Sequence, residues 1–134
     1  MDNMDNEEIQ YSLNCMIQAL SMKEHEALKS LRLMMTARQF MYHVDEKGNI
    51  SLRFDFSGSS KADRLIITYC YGPDLYNMSF FKKNRYALYS LVQHYDEVYF
   101  DQLRELFGNV TGLETHLPNI LFNSPNIVYA HIGD

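Results

Sequence analysis

Apolar residues keep one helical phase throughout the stretch 6–38, which contains neither glycine nor proline. At about 100° per residue they form a single stripe, and this pattern predicts a long or kinked helix with one buried or partner-facing side. Residues 1–5 lie outside the pattern and are expected to be a flexible N-terminus. The stripe consists of Ile9, Leu13, Met16, Ile17, Leu20, Ala27, Leu28, Leu31, Met34 and Met35.

The predicted length of this helix exceeds the size of the domain. At 1.5 Å per residue the stretch 6–38 would extend about 50 Å, whereas a compact domain of this chain length is about 36 Å across. Ser21 and Glu24 form a capping box that favours a kink after Leu20. The N-terminal half of the stripe therefore needs a second surface, which the sheet, a second copy in a homodimer or a partner protein could supply. This dimer or partner face consists of Ile9, Leu13, Met16, Ile17 and Leu20.

Between residues 39 and 83 the apolar period changes to two, which predicts an antiparallel β-meander. Four strands are expected, at 40–44, 50–56, 64–71 and 75–82, with turn residues at 45–49 and 72–74 and a polar loop at 57–63. One face would carry large apolar side chains and receive the helix. The other face is interpreted as solvent surface or a binding surface, and it carries His43, Ser51, Arg53, Asp55, Thr68, Asn77 and Ser79.

Residues 84–134 return to helical spacing and then lose it. Asn84 is expected to cap a helix whose apolar side carries Leu88, Leu91, Val92 and Tyr95. After a loop at 96–97, Asp101 is expected to cap a second helix at 102–107, which Gly108 ends. The rest is predicted to be irregular apart from short strands at 113–117 and 127–132, since Pro118 and Pro125 interrupt regular structure.

These elements together predict a single α+β domain over residues 1–134. The chain has 46% hydrophobic and 22% charged residues, which is typical of a globular protein. Its formal net charge of -5 is unevenly distributed: residues 1–38 carry six acids and four bases, residues 39–83 five and six, and residues 84–134 six and two. The acidic balance disfavours binding to nucleic acid through phosphate contacts alone and favours a basic partner.

Localisation follows from the ends and the hydropathy of the chain. The N-terminus is acidic and lacks the features of a secretory signal, and no run of 18 apolar residues occurs. We therefore expect a cytoplasmic protein without membrane contact. In that compartment Cys15 and Cys70 are expected to be reduced thiols rather than a disulfide.

No motif in the chain indicates a particular reaction. The five histidines have no second His or Cys at metal-ligand spacing, so we predict no metal site and no cofactor. No Gly-x-Ser-x-Gly sequence presents a nucleophile, and the glycine- and serine-rich loop at 57–61 precedes a strand rather than a helix. An enzyme would need a site assembled from distant residues, for example around the polar sheet face.

Basic and aromatic residues near the predicted strand ends offer one binding hypothesis. Interleaved cations and rings are typical of a platform for single-stranded nucleic acid or nucleotides. The simpler interpretation is that the rings fill the core and that the cations are solvated at the rim of the sheet. The cations are Lys61, Arg64, Lys82, Lys83 and Arg85.

An acidic and aromatic segment supports the leading hypothesis. Aromatic rings supply contact area and carboxylates complement Arg and Lys, so the segment is predicted to bind a basic protein, although it could also pin helices to the sheet. Small size, acidity and missing catalytic motifs are typical of inhibitors that phages and mobile elements direct against host factors, such as nucleic-acid-binding defence proteins. The predicted partner-binding residues are Tyr95, Asp96, Glu97, Tyr99, Phe100, Asp101 and Glu105.

Overall fold

The computed structural model describes residues 6–21 and 34–113, which form one five-stranded antiparallel sheet with helices packed on one face. Each strand pairs with its predecessor, so the sheet order follows the chain order. The α+β class is confirmed, and the predicted four-stranded meander is wrong by one strand. The elements are α1 (Asn6–Ser21), β1 (Arg38–Val44), β2 (Ile50–Asp55), β3 (Arg64–Cys70), β4 (Leu75–Lys83), β5 (Tyr89–Val98) and α2 (Leu103–Thr111).

Alternation of side chains divides the three central strands as the pattern predicted. Ile50, Leu52 and Phe54 of β2 are buried, while Ser51 and Arg53 between them are half-buried on the opposite face. The same alternation continues in β3 and β4. Strand pairing places buried residues opposite one another, since Leu52 and Phe54 face Ile67 and Leu65, which in turn face Met78 and Phe80. The half-buried Tyr69 faces Ile50 on one side and Tyr76 on the other. We call the helix-covered side the inner face and the polar side the outer face.

Aromatic rings connect the inner face to α2. Phe107 of α2 packs edge-on against Phe56, with 5.1 Å between ring centroids, and lies 6.1 Å from Phe80 of β4. Phe54 continues the cluster towards Phe40 of the edge strand β1, at 5.0 Å. These contacts hold the C-terminal helix on the sheet.

The inner face also receives α1, which changes the interpretation of its apolar stripe. Met16 and Leu20 are fully buried within the single chain, Leu13 is 8% exposed, and Ile9 and Ile17 pack against the same core. Helix α1 packs on β2 and on α2. The five residues of the predicted dimer or partner face therefore have partners within the single chain, so covering them requires no second copy.

Several predictions lie outside the described residues. These concern the N-terminal residues 1–5, the kink and continuation of the helix over 22–33, and the irregular segment with its short strands from residue 114 onward. Of the helix predicted over 6–38, residues 36 and 37 are not helical and β1 begins at Arg38. The predicted helix therefore extends too far at its C-terminal end.

The segment predicted as a helix capped by Asn84 forms a tight turn and the edge strand β5. Asn84 Oδ1 accepts hydrogen bonds from the backbone N–H groups of Tyr86 and Leu88, so it shapes the turn between β4 and β5. The register against β4 shifts between the pairs Phe80–Gln93 and Phe81–Leu91. This bulge adds one residue to β5 and gives its apolar residues a spacing that imitates a helix.

The last described helix runs further than predicted. A 3₁₀ turn at Phe100–Gln102 precedes α2, and Gly112 ends the helix with a φ of 77° in the left-handed region. Gly108 lies inside α2, where its carbonyl accepts a hydrogen bond from Gly112 N at 2.7 Å. The prediction that Gly108 ends the helix was therefore wrong, because the next glycine, Gly112, ends it.

Leu20→Ala tests whether the apolar side of α1 belongs to the core of one chain. We expect a loss of about 2–5 kcal/mol in the free energy of unfolding, because the change leaves a cavity in the core. Urea unfolding followed by circular dichroism measures this loss. Tyr11→Ala is the matched control, because Tyr11 is 71% exposed on the same helix and its loss should cost little. A midpoint that rises with protein concentration in the wild type, and not in Leu20→Ala, would instead indicate a dimer through this face.

Candidate functional site

Chain topology separates the charges of the sheet into two groups. In a meander the connections alternate between the two ends, so the β2–β3 loop and the β4–β5 turn share one end and the β1–β2 and β3–β4 turns share the other. The first end has six cations and two carboxylates, and we call it the basic end: Arg38, Lys61, Arg64, Lys82, Lys83 and Arg85, with Asp55 and Asp63. The second has six carboxylates and one lysine, and we call it the acidic end: Asp45, Glu46, Asp74, Asp96, Glu97 and Asp101, with Lys47.

The acidic end contains most of the predicted partner-binding residues. The last residues of β5 and the 3₁₀ turn after it place Asp96, Glu97, Tyr99, Phe100 and Asp101 on the surface, and all five are exposed. Glu105 is also exposed, in the first turn of α2. Tyr95 differs from the rest: it is half-buried, and its ring packs edge-on against that of Phe80 with 6.5 Å between centroids. Tyr95 therefore supports the core as well as the surface.

Sequence reasoning missed three carboxylates of this end. Asp45, Glu46 and Asp74 lie far from residue 96 in the chain, and only strand pairing brings their turns to the same end. The Asp45 carboxylate accepts backbone N–H groups of Lys47 and Asn49 at 2.8 and 3.0 Å. These bonds lower the pKa of Asp45 and favour its charged form, and the bond from Asn49 has the largest effect.

A row of aromatic rings follows the inner side of the acidic end. Tyr69 and Tyr76 lie 5.3 Å apart across β3 and β4, and Phe100 lies 6.2 Å from Tyr76. The Tyr69 hydroxyl donates to Asp74 Oδ1 at 2.6 Å, and this bond with burial raises the pKa of Tyr69 to about 12. Burial raises the pKa of Tyr76 to about 12 as well. Both hydroxyls are therefore neutral at physiological pH.

The basic end divides its cations into paired and exposed groups. Arg64 donates to both oxygens of Asp55, at 2.7 and 3.3 Å, and stacks 3.6 Å from the centre of the Tyr89 ring. Lys82 lies 3.6 Å from Asp63. Two of the five predicted nucleic-acid-binding cations thus stabilise the sheet. Lys61, Lys83 and Arg85 are exposed, and within residues 6–21 and 34–113 no carboxylate pairs with them.

The outer face holds a hydrogen-bonded chain that the sequence pattern did not predict. Ser79 of β4 and His94 of β5 are opposite each other, and Ser79 Oγ lies 2.7 Å from His94 Nδ1. His94 Nε2 lies 2.7 Å from Asp96 Oδ1. The sequence pattern predicted a helix up to Tyr95 and a loop at 96–97, which was wrong, because both His94 and Asp96 lie in β5. Once β5 is a strand, the spacing of two residues puts both on one face.

The Ser79–His94–Asp96 chain of hydrogen bonds has the connectivity of a serine hydrolase triad. It lacks the backbone environment in which such a triad works. Ser79 lies in the middle of a strand that is paired on both sides, so the backbone N–H groups near it serve the ladder rather than an oxyanion. The side chains of His94 and Asp96 are 40% and 67% exposed, so water weakens their interaction. The arrangement fixes the orientation of an exposed histidine. Within residues 6–21 and 34–113 it has the geometry of a proton relay, but the backbone N–H groups beside Ser79 belong to the sheet.

The described residues contain neither a metal site nor a membrane-spanning helix. Among residues 6–21 and 34–113, no group of three His, Cys, Asp or Glu side chains is arranged to hold a metal ion. In the same part of the chain, neither helix combines the length and hydropathy needed to cross a membrane.

Comparisons of the chain with protein-family models, with curated proteins and with solved structures give no match.

Tyr69→Phe tests the hydrogen bond that anchors the row of aromatic rings. Since the pKa of Tyr69 rises from 10.0 to about 12, its stabilising effect is complete below pH 10 and is lost as the pH rises through about 12. We expect Tyr69→Phe to remove one high-pH transition from an ultraviolet absorbance titration, while Tyr76 still titrates. Asp74→Asn should shift the same transition to lower pH, because the carboxylate is the largest cause. Identical wild-type and Tyr69→Phe titrations would contradict the assignment.

Ser79→Ala tests whether the outer-face chain is catalytic. An exposed imidazole can attack an activated ester by itself, so the hydroxyl is the diagnostic group. We expect wild type and Ser79→Ala to hydrolyse p-nitrophenyl acetate at rates within about twofold, whereas a working serine nucleophile contributes several orders of magnitude. A burst of p-nitrophenol that disappears in Ser79→Ala would show acyl transfer and contradict this assessment.

Proposed function

We propose that this protein is a non-enzymatic interaction module that binds a basic partner protein through its acidic end. The observation that carries the proposal is the convergence of six exposed carboxylates from three separate connections beside two exposed rings. Tyr99 and Phe100, which are 62% and 48% exposed, lie between the acidic residues Glu97 and Asp101.

Each component has a separate physical role in such an interface. Exposed aromatic rings bury a large area with few rotatable bonds, so they provide binding energy. Carboxylates around them attract a basic surface and accelerate association, and they disfavour acidic partners. The ring of Phe100 is supported from below by Tyr76, so it is oriented before the partner arrives.

The edges of the sheet favour contact through side chains over addition of a strand. Both edge strands carry irregularities, and both have a non-glycine residue with positive φ: Gln39 at 58° in β1 and Glu97 at 57° in β5. Bulges twist the free backbone groups out of line and prevent edge-to-edge pairing. The partner therefore contacts the side chains at the end of β5.

The class of partner follows from the chemistry of the acidic end. A basic surface that binds nucleic acid is complementary to a cluster of carboxylates, so the acidic end can compete with phosphates for it. A nucleic-acid-binding host protein, such as a defence factor, is the partner that we propose.

Charge reversal of the acidic end tests this proposal. The triple variant Asp96→Lys, Glu97→Lys and Asp101→Lys replaces exposed carboxylates, so its fold should be retained. The partner is first captured from lysate with the wild-type protein and then purified, and its affinity is measured by calorimetry. We expect a basic partner and a loss of affinity of at least about tenfold in the variant, since charge pairs across interfaces are worth about 1.5 kcal/mol or more.

Reversal at the other end is the control. Lys83→Glu with Arg85→Glu alters exposed cations of the same sheet and should leave partner affinity within about twofold, because the ends are separated by more than the screening length. Failure to capture a partner would contradict the proposal. Equal binding by wild type and the acidic-end variant would contradict it as well.

A further inference from the structure

We propose that the basic end is a second binding site, for a short single strand of nucleic acid, distinct from the partner site at the acidic end. Four of its cations are exposed: Arg38, Lys61, Lys83 and Arg85. The two carboxylates of this end are already engaged, since Asp55 accepts from Arg64 and Asp63 lies by Lys82. Among the described residues, no ion pair therefore neutralises these four cations.

Distance explains why an acidic protein can hold such a site. Strand β4 runs from the acidic end to the basic end, and its nine residues span about 30 Å. Charges in solvent are screened over about 8–10 Å at ordinary ionic strength. A phosphate at the basic end therefore experiences the local cations and not the net charge of -5. This removes the main sequence argument against nucleic acid.

The arrangement of the cations suits a single strand. Arg38 lies at the start of β1 and Arg85 follows β4, so the cations extend over three strand spacings, about 14 Å. The four exposed cations can contact about four phosphates, the lower end of the site sizes of single-strand-binding folds. Arg38 Nη1 donates to Ser57 Oγ at 3.0 Å, so its guanidinium is held beside the β2–β3 loop.

An exposed ring supplies the second component of the site. Tyr86 is 69% exposed at the tip of the β4–β5 turn, and the Arg85 guanidinium lies 5.1 Å from the centre of its ring. Asn84 Oδ1 accepts the Tyr86 backbone N–H at 2.7 Å and fixes the turn that presents this ring. Unpaired bases stack on such rings, whereas bases in a duplex are already stacked.

The experiment measures binding of a fluorescein-labelled oligodeoxythymidine of about 12 nucleotides by anisotropy over a range of salt concentrations. Four phosphate contacts predict a slope of about -3 in a plot of log affinity against log salt. Between 50 and 200 mM salt the affinity should therefore fall by about 50-fold. A flat titration at low salt would overturn the proposal.

Matched variants locate the site, because each pair makes the same change at opposite ends. Lys83→Glu should weaken binding by at least about tenfold and reduce the slope, whereas Lys47→Glu, with the same change of charge at the acidic end, should leave affinity within about twofold. Tyr86→Ala should weaken binding by about 5- to 100-fold, and the exposed Tyr71 provides the control variant Tyr71→Ala.

Two outcomes would overturn the site while leaving the proposed partner interface intact. Equal weakening by Lys83→Glu and Lys47→Glu would indicate a general charge effect. Equal affinity for the single strand and for a duplex of the same length would exclude recognition by stacking. Circular dichroism of each variant verifies that the fold is retained, and none of these variants alters Asp96, Glu97 or Asp101.

Discussion

Burial of one face of an antiparallel meander is the constraint on which the rest of the structure depends. Apolar residues at every second position of β2, β3 and β4 must point to the same side, and pairing in register brings them together under two helices. A shift of one residue in any central strand would expose its apolar set and bury polar residues such as Ser51 or Asn77. The hydrophobic core therefore determines which side chains form the outer face.

The same constraint determines the distribution of charge. Consecutive strands run in opposite directions, so successive connections lie at opposite ends, and residues distant in the chain come to lie at the same end. Asp45, Asp74 and Asp96 share one end in this way, and Arg38, Lys61 and Arg85 share the other. Because these ends are farther apart than the screening length, the protein can present an acidic and a basic surface independently. The proposed interaction module with two unlike partners is consistent with this separation.

Prediction was accurate where the local pattern and the tertiary structure act in the same direction. The three central strands are buried on one side and open on the other, so the period of two in residues 50–82 reports their faces directly. At the edge strand β5 the local pattern was misleading, since a bulge spaces Leu88, Leu91 and Val92 like helix residues and leaves all three exposed. The β-branched and aromatic content of residues 89–95 was the signal that favoured a strand.

The sequence alone determined the α+β class, the polar outer face, the acidic and aromatic segment and the cations at strand ends, because each depends on local spacing or composition. Only the tertiary structure decided which of these groups remain available. The apolar side of α1 is buried in the core of a single chain. Arg64 pairs with Asp55 and stacks on Tyr89, and Tyr95 packs against Phe80. The tertiary structure also joined Ser79, His94 and Asp96 across two strands. Such contacts depend on strand pairing between distant residues, and local patterns do not contain that information.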